Sequence, residues 1–423
     1  MKSITSLLRS RFFLPLFITQ FLNAFNDNFY RMAMVIMVTY TIYSDPTQEA
    51  QFNALAGGLL MLPFFLFSAI AGQLADGIDK TKIIKMVKSA EIFIMLLGAL
   101  GIHLHNIPIL LAAMFLMGLH STFFGPIKYG ILPQHLKEDD VLAGTGFVEA
   151  GTYIAILGGT ILGGILQPDD AAIGIIIVAI VGRISAQFVP PAPPETGQAP
   201  LKIDWNIFRA SWRLIRDTMH VRRLFLAIMS ISLFWAIAAI LGAQFPPMVK
   251  NGLHGDNTVA TLFTAIFSIG IAIGSIIISK LLNGKVSAKY APISVIVMGL
   301  FVLDLWWSIG NWQIISGDAL NWREFLSLAQ GDRILIALLG ISVTGGMFVV
   351  PLYAFLTTTV ERSKTASTIA ANNIVNSGSM VLGVVTYGQM AGLGVPITDT
   401  LFLVAAMCII SAWLAWKLHK ACD

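Results

Sequence analysis

Twelve apolar runs, each long enough to cross a bilayer, decide most of what this chain can become. A helix needs about 20 residues, at about 1.5 Å rise each, to cross the hydrocarbon. The runs fall near 12–42, 54–75, 83–104, 108–130, 142–166, 171–189, 224–247, 258–282, 290–310, 333–358, 367–390 and 397–418. They are continuous, not alternating, which favours helices over a barrel. With 56% hydrophobic and 12% charged residues, the chain carries more apolar surface than a soluble core could hide, since soluble domains are about a quarter charged. The expectation is an all-α, polytopic membrane protein with about twelve spans. Met1 to Arg11 run straight into the first apolar stretch, so no removable signal peptide is expected. Cys408 and Cys422 cannot build a disulfide framework or a cysteine metal site, and no cofactor or metal is expected.

Pro190 to Arg222 is the longest polar stretch and divides the spans six and six. It opens on the extended spacer PPAPP, which no span would carry. The expected organisation is a six-helix bundle over 1–189, a linker over 190–222 and a second bundle over 223–423. Within the linker, Trp205, Phe208, Trp212, Ile215 and Met219 recur at helical spacing while Arg209, Arg213 and Arg216 take other faces. That pattern predicts an amphipathic helix lying along anionic headgroups. On the other side, Trp312, Trp322 and Phe325 are expected at the membrane interface.

Orientation follows from the basic residues. Of 27 lysines and arginines, twenty-three fall in segments on the side of both termini. Lys250, Arg323 and Arg333 fall on the opposite side, and Arg31 lies inside the first span. Both termini are therefore expected to be cytoplasmic. The positive balance marks topology and gives no reason to invoke nucleic acid.

The two halves look like degenerate copies. PIKYGIL at 126–132 matches PLYAFL at 351–356, and VEAGT at 148–152 matches VNSGS at 375–379 at nearly the same offset. Spans 4–5 and 10–11 would then be equivalent, as parallel repeats require.

Charges inside spans cost about 2.5–3.5 kcal/mol each on insertion scales and default to functional hypotheses. Asp27 is the clearest case, among Asn23, Asn26 and Asn28. Arg31, four residues on, shares its helix face and offers the plainer alternative of a self-neutralising pair. Glu149 lies about two turns into span 5 with Tyr153 beyond it, and its repeat mate is Asn376, near Asn372 and Asn373. Lys128 lies near the end of span 4, where Pro126 and Gly130 are expected to interrupt the helix; it could equally snorkel to the interface. Glu91 and Asp304 lie nearer span ends or lack polar neighbours and rank below these. Gly158-Gly159 and Gly163-Gly164 read as helix-packing surfaces. His135 and Asp140 fit His-x-x-x-x-Asp, the general-base pattern of glycerolipid acyltransferases. The short polar loop has no room for an acyl donor, so this reading ranks last.

Between spans 2 and 3, Gly72-Gln-Leu-Ala-Asp76 followed by Lys80 and Lys82 resembles the signature loop of the major facilitator superfamily, with Gly77 where an arginine is typical. Its expected role is conformational gating by Gly72, Asp76, Lys80 and Lys82. Gly72 and Ala75 would permit close helix contact. Further blocks are similar to the lysophospholipid transporter (LplT) family: FLNAFNDNFYR, GQLAD, GPIKYGILP, GFVEAGTYIAILGG and GGMFVVPLYAFL. This resemblance implies a major facilitator fold in a bacterial inner membrane. It implies movement of lysophosphatidylethanolamine and lysophosphatidylglycerol from outer to inner leaflet. Reacylation would follow on a separate cytoplasmic acyltransferase/acyl-carrier-protein synthetase, with the transporter itself a monomer among membrane lipids. By the resemblance, Asp27 and Lys128 match charged positions implicated in transport and Glu149 matches the family's span-5 acid; all three are expected to bind substrate, with the polar residues Asn26, Arg31, Tyr153, Asn373 and Asn376 read from the sequence in support. Relatives can carry an arginine in span 7, where this chain has Gly242, so phosphate would rest more on Lys128, a point charge on a flexible stem. The competing readings are a facilitator of small polar solutes or drugs and, remotely, the acyltransferase.

Overall fold

The computed structural model describes residues 9–136, 138–194, 203–282, 287–313, 318–358 and 362–422. Some side chains inside helices, those of Asp76 and Glu149 among them, also lie outside the described residues. Twelve helices of twenty or more residues account for most of the chain. They are α1 (Leu14–Met37), α2 (Pro46–Gly77), α3 (Lys80–His103), α4 (Ile107–Gly130), α5 (Glu138–Ile165), α6 (Pro168–Gln187), α7 (Arg222–Leu253), α8 (Asn257–Leu281), α9 (Ala291–Gly310), α10 (Ala329–Thr358), α11 (Arg362–Gly392) and α12 (Leu401–Cys422). Among the described residues, seven are apolar enough to cross a membrane by length and composition alone. The other five include the helices that carry Asp27, Glu91 and Asn376. Several helices outrun their apolar stretches, because backbone hydrogen bonding continues past the hydrocarbon edge. Among the described residues the single β feature is an isolated bridge between Gly255 and Leu320.

The structure divides into two compact units, Met1–Met37 with Leu66–Ser211, and Val38–Phe65 with Trp212–Asp423. The segment 38–65 therefore packs within the second unit. It begins in the π-helical turn Val38–Ile42 and ends beside Pro63, which lies inside α2.

In the first unit α1 packs chiefly on α5 and α6, and α3 on α6 and α4. The α5 glycines let two backbones touch. A Cβ at Gly159 would collide with the Phe25 carbonyl oxygen, and one at Gly163 with that of Phe29. In α6, Ile173, Ile177, Ile180 and Ile184 form a bare outward stripe at helical spacing. The buried face of α1 holds Gln20, Asn23 and Asn26. Apolar outside and polar inside is the pattern of a chain whose solvent is lipid.

In the second unit α8 packs on α10, α7 on α11 and α12, and α9 on α10 and α12. Here Gly274 and Gly346 play the close-approach role against the backbones of Val343 and Ile271. Glu49 of α2 is fully buried; Lys250 Nζ donates to its Oε1 at 2.5 Å, and Asn251 Nδ2 to its Oε2 at 2.5 Å. Lys250 also donates to the carbonyls of Thr39 (2.5 Å) and Tyr43 (2.9 Å).

Four expectations change. The helix is not interrupted at Pro126: α4 runs through it to Gly130. A proline this near a helix end removes one hydrogen bond, and neighbouring helices in a membrane make up the loss. Lys88, counted with the cytoplasmic charges, is fully buried in α3; removing it leaves the asymmetry intact. No heavy atom among the described residues lies within 4 Å of a Cβ built on Gly72, so that glycine is not needed for close contact. Trp312 is buried, stacked 5.4 Å from the equally buried Phe325, which leaves Trp322 as the exposed aromatic of that trio.

Around the signature loop, Asp79 caps α3, accepting from the Thr81 backbone N–H at 2.9 Å. It also accepts from Ala192 N–H at 3.1 Å, and Thr81 Oγ1 donates to the Pro190 carbonyl at 2.5 Å. The proline-rich spacer is thereby tied to the start of α3. Lys80 is buried and Lys82 exposed. Ile207–Met219 forms the amphipathic helix, its Trp212 and Phe208 bare along with the preceding Trp205, and Arg209 paired with Asp204 at 2.7 Å.

Candidate functional site

Asp27 lies mid-way along α1 and faces α4. Ser121 Oγ donates to Asp27 Oδ2 at 2.5 Å, and Asn23 Nδ2 donates to the same oxygen at 3.2 Å. One residue back, Asn26 Nδ2 donates to Glu91 Oε1 of α3 at 2.9 Å. Glu91 also forms an ion pair with Lys88, one turn earlier on α3. Its Oε2 stands 3.3 Å from His120 Nε2 of α4. His120 Nδ1 lies 3.4 Å from Ser121 Oγ, which closes the string. Lys88, Glu91, His120, Ser121, Asp27 and Asn23 thus form one polar string across three helices, with Lys88, Glu91 and His120 all at most 5% exposed. Burying an ion costs several kcal/mol unless a partner compensates. Gly182 of α6 makes room for the lysine; a Cβ there would stand 2.9 Å from Lys88 Nζ.

Of the residues singled out from sequence, the structure brings Asp27 and Asn26 together here. Arg31 does not join them: its Nη2 donates to Asn28 Oδ1 at 3.2 Å, and no ion pair links it to Asp27 among the described residues. The self-neutralising pair fails to form because Asp27 turns to α4 while Asn28, one turn before Arg31, meets the guanidinium. Lys128 is half-buried in the last turn of α4, about 12 Å of helix rise beyond His120. Tyr153 is half-exposed on α5. The Glu149 side chain lies outside the described residues, as do those of Asp76 and Asp140. His135 Nε2 stands 3.4 Å from the Pro191 carbonyl oxygen, and burial holds its imidazole below the ordinary histidine value.

Asn376 belongs to the second unit. It accepts from Ser232 Oγ at 2.6 Å and donates to Tyr353 Oη at 3.2 Å; that hydroxyl also accepts from Trp235 Nε1 at 2.7 Å. Asn372 is fully buried with neither end of its amide hydrogen-bonded, while Asn373 is exposed.

Lys88 and His120 escaped sequence reasoning, and Glu91, which lacks polar neighbours along its own helix, finds them on α1 and α4. The signal was present: Lys88 and Glu91 stand three apart, one helical turn, and His120-Ser121 interrupts an apolar run. Lys88 lies near enough to the basic loop to pass for part of it.

Twelve long helices, lipid-facing apolar stripes and a buried charged string define a multi-pass membrane transporter. The chain belongs to the Major Facilitator Superfamily, whose sequence pattern matches residues 16–384. Three bacterial relatives, each a lysophospholipid transporter LplT, show the range of similarity. The one from Photorhabdus laumondii is 26% identical over 425 residues, covering 97% of each chain. Those from Pectobacterium carotovorum and Yersinia pestis are 27% and 28% identical, each covering 92% of this chain and 89% of the relative. Among solved structures, a POT family transporter with a bound peptide conjugate superposes with a TM-score of 0.70 at 13% identity, covering 97% of this chain and 96% of that one. The nucleoside transporter NupG gives 0.67 at 13%, covering 96% and 99%. A bacterial homologue of the lysosomal transporter Spinster gives 0.68 at 12%, covering 96% of each chain. At such identities these structures speak for the fold alone.

Proposed function

We propose that this protein carries lysophospholipids, chiefly lysophosphatidylethanolamine and lysophosphatidylglycerol, from the outer to the inner leaflet of a bacterial cytoplasmic membrane for reacylation. The observation that carries the reading is similarity over nearly the whole chain to bacterial lysophospholipid transporters. The headgroup is met by Asp27, Asn26 and Lys128, with Glu149, Arg31, Tyr153, Asn373 and Asn376 in support. Lys128 supplies the phosphate contact, and an acid with asparagines suits an ammonium or glycerol group. An open apolar groove of about 410 Å³ in the second unit, lined by Leu55, Leu59, Leu62, Val381 and Val385, suits a single acyl chain. Gly72, Asp76, Lys80 and Lys82 gate the movement. The carrier works as a monomer of two six-helix halves, 1–189 and 223–423, joined by the 190–222 linker. Its product passes to a cytoplasmic acyltransferase/acyl-carrier-protein synthetase.

The test is uptake of both lysophospholipids by cells lacking their own carrier, against detergents of equal chain length. Uptake above the empty-vector level for the lipids alone is expected. Uptake no faster than the control, or transport of small polar solutes in its place, would overturn the assignment. Both termini and the linker are cytoplasmic in this reading. A cysteine at Ser44 should then label from outside intact cells, and one at Thr196 should not.

A further inference from the structure

The helix Ile207–Met219 presents three faces, and only one is turned to the protein. Ala210 and Thr218 are buried on that face, with Ile207 and Leu214 half-buried beside them. A second face is aromatic. Phe208 and Trp212, four residues apart, are 74% and 68% exposed, and Trp205 just before the helix is 67% exposed. The third carries Arg209, Arg213 and Arg216, all exposed and next to the aromatic face by helical spacing.

Two acids answer part of the charge. Arg209 donates Nε to Asp204 Oδ2 at 2.9 Å and Nη2 to Oδ1 at 2.7 Å, and Arg216 pairs with Asp217. Over 204–223 these two acids stand against five arginines, Arg222 and Arg223 among them, so the segment stays positive. Both of its ends stand at span edges. The Asp204 N–H donates to Gln73 Oε1 at 2.7 Å, and the apolar span of α2 ends two residues later at Ala75. Beyond Met219 the chain enters α7 at Arg222. An element held at the edge of the hydrocarbon meets headgroups, the level where tryptophan collects and where basic side chains meet phosphate. In water, three bare aromatic side chains would forgo the burial that lipid offers them.

We propose that Trp205, Phe208 and Trp212, with Arg209, Arg213 and Arg216, form a docking surface for anionic diacyl phospholipids of the leaflet on which the helix lies. The rings enter the boundary between headgroups and acyl chains, and the arginines meet phosphates from the adjoining face. The bond from Asp204 to Gln73 ties this surface to the end of α2. The docking surface does not depend on what the protein carries.

Full-length protein with Cys408→Ser, Cys422→Ser and Phe208→Cys, labelled with a fluorophore at position 208, is placed in phosphatidylcholine bilayers. Quenching of the label by brominated phosphatidylglycerol is compared with quenching by brominated phosphatidylcholine at equal content. The anionic lipid should quench more strongly. The ratio of the two apparent affinities should fall by up to about fivefold for each of Arg209→Gln, Arg213→Gln and Arg216→Gln. It should also fall in wild-type sequence at high salt, an arm that decides the matter if the arginine variants fail to fold. Equal quenching by both lipids, or a ratio that neither salt nor the arginine variants change, would overturn the anionic site. A label that neither lipid quenches would overturn docking to lipid altogether and leave a protein partner for that face. Both probes are diacyl lipids, so failure to take up lysophospholipid leaves this result standing, and failure here leaves the transport reading standing.

Discussion

The two units solve the same packing problem with different interiors. Both bring helices into backbone contact through glycines, Gly159 and Gly163 in one, Gly274 and Gly346 in the other. Inside the first, three helices share charges: Lys88, Glu91 and Asp27, with His120 between. Inside the second, Ser232, Asn376, Tyr353 and Trp235 make a neutral network, and the buried ion pair of Glu49 and Lys250 stands near helix ends. A neutral network holds one arrangement well. A charged one changes energy sharply when a proton or an ionic headgroup arrives, because low dielectric magnifies each charge. The difference teaches that the same means of helix packing can enclose either a charged or a neutral interior.

The sharpest way to break that contrast is Glu91→Gln. It strands Lys88 in an apolar interior and should destabilise the protein by about 3–5 kcal/mol, read as a lower melting temperature. Lys88→Met combined with Glu91→Leu should recover most of it. A Glu91→Gln protein that melts like wild type would mean the first unit is not held by its charges. Next, Asp27→Asn should lower lysophospholipid uptake about a hundredfold, a barrier change of about 2.7 kcal/mol. Adding Arg31→Gln should rescue nothing, since Arg31 is bonded to Asn28; near-normal uptake by the double variant would make Asp27 structural. In the second unit, Asn376→Ala leaves the Ser232 hydroxyl without its acceptor and should cost about 1–3 kcal/mol in melting. If it abolishes transport while the fold stays intact, the neutral network takes part in transport as well as in packing. Lys128→Ala should weaken uptake by roughly threefold to tenfold, up to about 1.4 kcal/mol, and Lys128→Arg should keep part of it. Equal uptake by wild type and both variants would identify a snorkelling lysine. The smallest effect is expected for Gly242→Arg. A Cβ there meets nothing within 4 Å among the described residues, so the new side chain starts without a steric clash and the effect is expected in selectivity. Uptake of the anionic lysophospholipid should rise relative to the zwitterionic one; no change in that ratio argues against headgroup contact near this position.

Much of the fold was legible because lipid as solvent leaves few options. Twelve apolar runs had to become helices. The double glycines of span 5 announced close packing, and the structure shows Gly159 and Gly163 against α1. The site was legible in part. Asp27 and Asn26 stood out because several polar groups crowd one short stretch of an apolar span. Their partners Glu91, Lys88 and His120 stand alone in their own helices, and only the packing of α1, α3 and α4 makes them neighbours. The alternative pairing of Asp27 with Arg31 does not form, for the opposite reason. Spacing of four places two side chains on one face, but a partner on another helix can outcompete the one along the chain, as Ser121 does.

The segment 38–65 is attached to the rest of the chain at two mechanically soft places. At one end the α-helical ladder gives way to the π turn Val38–Ile42. At the other, Pro63 removes one backbone donor three residues before the packing of α2 passes to the first unit at Leu66. Helices bend where hydrogen bonds are displaced or missing, and π turns and prolines are the common causes. Between these two places the segment is held along its length to the second unit, by Tyr40 on the Asp256 carbonyl, by the Glu49–Lys250 pair and by Val384 against Gly57 and Gly58.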